Sequence, residues 1–211
     1  MTEELENYIL KHSDDEGALL AKLRRDAFVH LLRPRMVSGH LQGRVLKMFC
    51  RMMRPKHILE IGTYTGYATL CLAEGLTDGA DVHTLEMDDE MEDFIHKYMD
   101  QSPLHDRIHL HMGDALQLIP TFDEDFFDMV FIDADKRHYE DYFEAVFSKV
   151  RSGGLILADN TLWDGKVVQT PAPRDPQSVA IMRFNETIKK DTRIEKVILP
   201  MRDGLTLMWK K

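Results

Sequence analysis

Hydrophobic positions follow two patterns along the chain. Up to about residue 54 they recur at helical spacing, with no strand-like run. Leu5, Tyr8 and Ile9 mark a short helix, and Leu19, Leu20, Leu23, Ala27 and Leu31 mark a second that ends near Arg33-Pro34. Leu41, Val45, Leu46 and Phe49 mark a third, with Ser38 as its N-cap. Beyond that point short apolar runs alternate with helical patterns. The runs are Ile58 to Ile61, Asp81 to Met87, Arg107 to His111, Met129 to Ile132 and Gly153 to Asn160. Helical spacing returns at Leu70, Leu72, Ala73 and Leu76, at Met91, Phe94, Ile95 and Tyr98, from near Tyr139, and over Gln177 to Lys190. Arg193 to Leu199 and Leu205 to Lys210 read as a closing antiparallel hairpin, turning at Met201 to Gly204. This alternation predicts an α/β fold with a parallel sheet and right-handed crossovers. At 211 residues one domain is expected, with helices over residues 1–54 capping a core of residues 55–211.

The first strand feeds its helix through Gly62-Thr63-Tyr64-Thr65-Gly66. Open α/β sheets bind ligands at such turns. A dinucleotide fingerprint needs a glycine where Tyr64 stands, and no triphosphate-binding loop is present. Glu60, just before the turn, adds a negative charge that disfavours phosphate and suits a cationic or hydroxyl-rich ligand, and S-adenosylmethionine fits. The alternative is a strand–helix corner whose glycines serve packing alone. Glu86 ends the second strand, where it either accepts from ribose hydroxyls or is a solvated acid at a helix start. Met87 is placed to flank an adenine. Asp114, in Gly113-Asp114-Ala115 after the third strand, either accepts from an adenine amino group or caps the next helix. The loop from Arg33 to His40 either closes one side of the site or is a plain connection.

Two neighbouring strands end on acids, Asp133 and Asp159, and Asn160 follows the second. In a parallel sheet these three oxygen ligands converge beside the glycine turn, and with no Cys or His among them they suit Mg²⁺, Mn²⁺ or Ca²⁺. The alternative is that the acids cap helices. A calcium loop over Asp133 to Glu144 is excluded because its sixth position, which needs glycine, is His138. Lys136 lies three residues after Asp133. The proline-rich stretch from Thr161 to Pro176 reads as a loop facing substrate through Trp163, or as one in which Trp163 is structural.

Composition narrows the setting. With 44% hydrophobic and 30% charged residues the chain reads as a soluble globular protein, and a net charge of −9 disfavours a general nucleic-acid surface. Cys50 and Cys71 read as buried free thiols in a reducing compartment. The acidic start MTEELENYIL is unlike a signal peptide, and no apolar run nears the ~18 residues of a membrane span. The cytoplasm is the expected location, with no membrane partner.

Taken in order, EIGTYTGY (Glu60 to Tyr67), TLEMD (Thr84 to Asp88), GDA (Gly113 to Ala115), FIDADK (Phe131 to Lys136), LADNTLWDGKV (Leu157 to Val167) and RFNETI followed by LPMRDGLTL (Arg183 to Leu207) resemble the cation-dependent O-methyltransferases of catechol and caffeoyl-coenzyme A type. The resemblance runs from about residue 35 to the end. It implies a Rossmann-like S-adenosylmethionine methyltransferase sheet of seven strands, mostly parallel with the last antiparallel, and helices on both faces. It implies S-adenosylmethionine held by Val37, Glu60, Gly62, Tyr64, Glu86, Asp114 and Asp133, with Met87 and Ala115 beside them. It implies a divalent metal at Asp133, Asp159 and Asn160, Lys136 as the base, Asn185 near the acceptor, and a homodimer. Lys136, close to the metal, would lose its proton more readily and take one from the acceptor. The chain departs from the family at Ala68, where many relatives have serine, and at Ser38-Gly39-His40, where plant members have glycine-proline. The expected reaction is metal-dependent methyl transfer to a hydroxyl of a small catechol-like aromatic. The alternatives are methylation of a hydroxyuridine in transfer RNA and a non-catalytic cofactor-binding or partner-binding role.

Overall fold

Each apolar run becomes a strand of one sheet. The computed structural model describes residues 2–170 and 174–211. Its strands are β1 (His57–Ile61), β2 (Asp81–Glu86), β3 (Ile108–Met112), β4 (Phe127–Ile132), β5 (Val150–Asp159), β6 (Ile194–Leu199) and β7 (Leu205–Lys210), in the order β3-β2-β1-β4-β5-β7-β6. The pairs from β3 through β5 are parallel. β7 runs antiparallel between β5 and β6, so the strand that closes the chain lies inside the sheet and β6 takes the edge.

The helices are α1 (Glu3–Lys11), α2 (Ala18–His30), α3 (His40–Met53), α4 (Tyr67–Ala73), α5 (Glu92–Met99), α6 (Ala115–Leu118), α7 (Tyr139–Phe147) and α8 (Pro176–Lys190). They cover both faces, which is why the central strands are apolar on alternate and intervening positions alike. On one face Leu59, Val130, Ile132 and Ile156 pack with Phe143 and Val146 of α7 and with Ile181 and Phe184 of α8. On the other, Ile58, Val82, Met129 and Phe131 pack with Leu46 and Cys50 of α3 and with Ala68 and Leu72 of α4. α2 adds a third layer, seating Leu20, Leu23 and Ala27 against Tyr67, Leu70 and Tyr98. Glu16 ties that layer down, accepting from Tyr67 Oη at 2.6 Å and pairing with Arg24. Both cysteines are free and buried, and burial pushes each thiol up to about 12. No helix of the described residues is long and apolar enough to cross a membrane.

Most boundaries shift by a residue or two from the sequence reading, those nearest the site included. Gly39, not Ser38, is the N-cap of α3, because the chain turns there at φ 82° and no side chain caps the helix. β5 begins at Val150, which pairs with Phe127 before β5 itself bulges: five residues separate Val150 from Leu155, while their partners Phe127 and Met129 on β4 are two apart. It ends at Asp159, and Asn160 lies outside it in the left-handed region at φ 58°. Pro171, Ala172 and Pro173 of the expected substrate loop fall outside the described residues.

Candidate active site

The strand order reverses between β1 and β4, and at such a switch point the crevice beyond the strand ends is left open for a ligand. The glycine turn closes one side of it. Gly62 has φ +98°, and a Cβ there would lie 2.2 Å from the carbonyl oxygen of Asp133. Only glycine lets β1's turn lie this close to the end of β4. Tyr64 is also left-handed, at φ 49°; its amide donates to Glu86 Oε2 at 2.6 Å and its phenol to the Arg33 carbonyl at 3.0 Å. Glu86 Oε1 accepts from the amides of Met87 and Asp88, each at 2.9 Å. The carboxylate of Glu86 thus ties the glycine turn to the end of β2. The loop before α3 reaches this turn through Arg33, and Val37 is buried among Tyr64, Tyr67 and Leu20.

Glu60 is placed differently from the sequence reading. Its side chain is fully buried under the face covered by α4, where Oε2 accepts from Thr69 and from Thr84, the latter at 2.6 Å. Burial raises the carboxyl to about 8, so near neutral pH it carries a proton and offers the crevice no negative charge. Asp114 Oδ1 accepts from the Leu116 amide at 2.9 Å and so caps α6. Ala115 is buried in the core, and Met87 is mostly exposed at the rim.

The ends of β4 and β5 carry the acidic half. Lys136 is 8% exposed and donates to Asp133 Oδ1 at 2.7 Å and to Tyr139 Oη at 2.5 Å. Tyr139 Oη lies 3.0 Å from the carbonyl oxygen of Asp159 and 3.2 Å from that of Ile132, joining both strand ends. Asp159 is buried; its Oδ2 accepts from Gln42 at 2.8 Å, and Gln42 in turn accepts from Arg202 at 2.6 Å. Asp159 Oδ1 is buried with no hydrogen-bond partner among the described residues. Burial, together with the charge of Asp133, raises the Asp159 carboxyl to about 6. An unpartnered carboxylate oxygen beside a second acid is costly unless a cation neutralises it. Asp133, Asp159 and the neighbouring Asn160 therefore fit a hard divalent ion held by oxygen atoms.

The segment after β5 is pinned rather than free. The amides of Thr161 and Leu162 donate to Gly204 and Asp203 in the β6–β7 turn, and Asn185 Nδ2 donates to the Thr161 carbonyl at 2.8 Å. Asn185 acts in this structure by holding that backbone. Trp163 packs against the face covered by α7 and α8, with its indole N–H buried and unpartnered among the described residues. Sequence reasoning missed Gln42 and Tyr139, for which no local motif exists, and Arg202, which lies within the LPMRDGLTL stretch but whose contact with Gln42 spans 160 residues.

The family model described as O-methyltransferase matches residues 10–211. The chain belongs to the O-methyltransferase family. A catechol O-methyltransferase of Niastella koreensis is 33% identical over 97% of this methyltransferase and 96% of its own length. Caffeoyl-CoA O-methyltransferase 1 of Eucalyptus globulus is 33% identical over 82% of this chain and 74% of its own. The structure of an O-methyltransferase from Bacillus cereus in complex with SAH superposes with a TM-score of 0.89 at 29% identity, covering 98% of this chain and 97% of that one.

Proposed function

We propose that this methyltransferase moves the methyl group of S-adenosylmethionine onto one hydroxyl of a vicinal diol on a small aromatic ring, with a divalent cation held by Asp133, Asp159 and Asn160. The observation that carries the reading is the buried Oδ1 of Asp159, unpartnered among the described residues, beside Asp133 and Lys136 at the switch-point crevice. The product bound by the Bacillus cereus relative supports the donor, and the names of the Niastella and Eucalyptus relatives support an aromatic hydroxyl acceptor. These names and the net charge of −9 favour a small acceptor over transfer RNA.

For the donor, the glycine turn, Tyr64 and Glu86 form one wall, with Met87 at the rim and Asp114 further along. Glu86 sits where it can also reach ribose hydroxyls. A bound divalent cation would act as a Lewis acid that lowers the pKa of the acceptor hydroxyl. The chain supplies the rest. Lys136 Nζ is held by Asp133 and Tyr139 within the same pocket, so in its neutral form it is placed to take the hydroxyl proton. The acceptor oxygen forms its bond to the methyl carbon as the carbon–sulfur bond breaks, and the sulfonium leaves as a neutral thioether. The buried indole N–H of Trp163, unpartnered among the described residues, is available to donate to an acceptor oxygen. The walls contribute alignment, since a sulfonium is already a good leaving group.

Asp159→Ala tests the reading. Loss of turnover with S-adenosylmethionine binding retained is the expected result. Unchanged turnover would overturn it.

A further inference from the structure

At the opposite ends of the same strands, five metal-ligating side chains share one sheet face. His57 opens β1 and pairs in register with Asp81, which opens β2; His83 pairs with His109 of β3, and His111 follows two residues later. Because side chains alternate along a strand, this register puts all five on the same face. Four of the chain's ten histidines are gathered here. Their donor atoms converge on one carboxylate. His57 Nδ1 lies 2.9 Å from Asp81 Oδ1, His83 Nε2 3.6 Å from the same oxygen, and His109 Nε2 3.9 Å from Oδ2. One donor atom each from His57, Asp81 and His83 falls within 4.8 Å of the other two.

We propose that His57, Asp81, His83 and His109 form a second metal site, selective for a borderline transition ion of the Zn²⁺ class and separate from the oxygen-ligand site at Asp133 and Asp159. Imidazole nitrogens with one carboxylate suit Zn²⁺, Co²⁺, Ni²⁺ or Cu²⁺ and not Mg²⁺. Tetrahedral ligation with bonds of about 2.0–2.1 Å requires neighbouring donors about 3.3 Å apart. The 3.6 Å separation of His83 exceeds that spacing by about 0.3 Å, and the 3.9 Å separation of His109, which stands outside the compact group of His57, Asp81 and His83, exceeds it by about 0.6 Å. His109 has the freedom to close the remaining gap, since 44% of its side chain is exposed.

The surroundings are those of a built site. A ligating histidine ordinarily donates its second ring N–H to a fixed partner, and His83 Nδ1 lies 3.0 Å from His111 Nε2. That contact leaves His83 Nε2 as the ligating atom. Phe126 stacks on His57 at 4.2 Å, while Phe122, Phe126 and Phe127 present edges to His83 at 5.4, 5.8 and 5.9 Å. These rings fix the orientation of the imidazoles and limit water around them. An ion here would join β1, β2 and the sheet's edge strand β3, far along the strands from the crevice, so its role is to hold that edge.

The test is calorimetric titration of the whole chain with Zn²⁺ in excess Mg²⁺, repeated with Co²⁺ to read its visible ligand-field band, and thermal melting with and without Zn²⁺. One Zn²⁺ per chain, a four-coordinate Co²⁺ spectrum and a Zn²⁺-dependent rise in melting temperature are expected. His83→Gln and His109→Gln should each weaken binding by at least tenfold, and His111→Gln by about tenfold through the lost second contact. Asp159→Ala should leave it unchanged. His109 is half-exposed at the sheet edge, so its variant reports even if His83→Gln fails to fold. Absence of Zn²⁺ binding, or binding indifferent to His83→Gln and His109→Gln but lost in Asp159→Ala, would overturn the proposal.

Discussion

Glu60→Gln should make the ligand-free protein less sensitive to alkaline pH. Glu60 is fully buried on a central strand, with both hydroxyl partners on one oxygen and, among the described residues, no partner for the other. Its carboxyl lies at about 8 in the folded chain against an ordinary 4.5, chiefly through burial. In the folded state it stays protonated while the unfolded chain releases its proton above about pH 4.5, so the folded state binds more protons across this window. Stability from this group is therefore present below pH 4.5 and declines as pH rises to about 8. Each pH unit inside the window is worth about 1.4 kcal/mol, so from about pH 6 to about pH 8 the wild type should lose of order 3 kcal/mol more than the variant. Gln reproduces the shape and neutrality of the protonated acid, so this difference isolates the ionisation. At this chain length it corresponds to roughly 6–12 °C in melting temperature. Urea unfolding at the two pH values, followed by tryptophan fluorescence and circular dichroism, measures it. If wild type and variant lose the same stability between the two pH values, burial does not hold Glu60 protonated and the reasoning fails.

Two further outcomes follow from the crevice. Lys136→Met should lower kcat by roughly 10²- to 10⁴-fold, the range of a positioned general base, while a calorimetric titration shows S-adenosylmethionine binding retained. Gly62→Ala should unfold at markedly lower urea, by several kcal/mol, because the new methyl would lie 2.2 Å from the Asp133 carbonyl at a φ of +98° that disfavours any side chain. An unchanged denaturation midpoint would show that β1 and β4 do not approach as closely as described.

Much of this fold is legible because its signal is local. The apolar run of β4 from Met129 to Ile132 is unbroken, that of β1 is interrupted only by Glu60, and the glycine turn announces the strand–helix junction. β5 is longer than its apolar part because Val150 gains a partner only through a bulge, which no local pattern records. The crevice acids Asp133 and Asp159 and the base candidate Lys136 are readable as strand-end residues. Gln42 is not, since it meets Asp159 across 117 residues and Arg202 across 160. The histidine cluster is hidden for the same reason: its members become neighbours only once three strands are in register. Asp114 was read two ways, and in this structure its oxygen caps α6. Glu60 was misread as a charge facing the ligand, yet the sequence held the clue. A central parallel strand is covered on both faces, so an acid within it must be buried whichever way it points.

The central claim is metal-assisted methyl transfer to an aromatic diol. It is tested most directly by incubating the protein with methyl-labelled S-adenosylmethionine and caffeic acid, in Mg²⁺ and again with excess chelator. The account predicts labelled O-methyl product with Mg²⁺ and its loss on chelation. Equal product in both conditions would contradict the metal's role, and no product in either, with the donor shown to bind, would contradict the small aromatic acceptor.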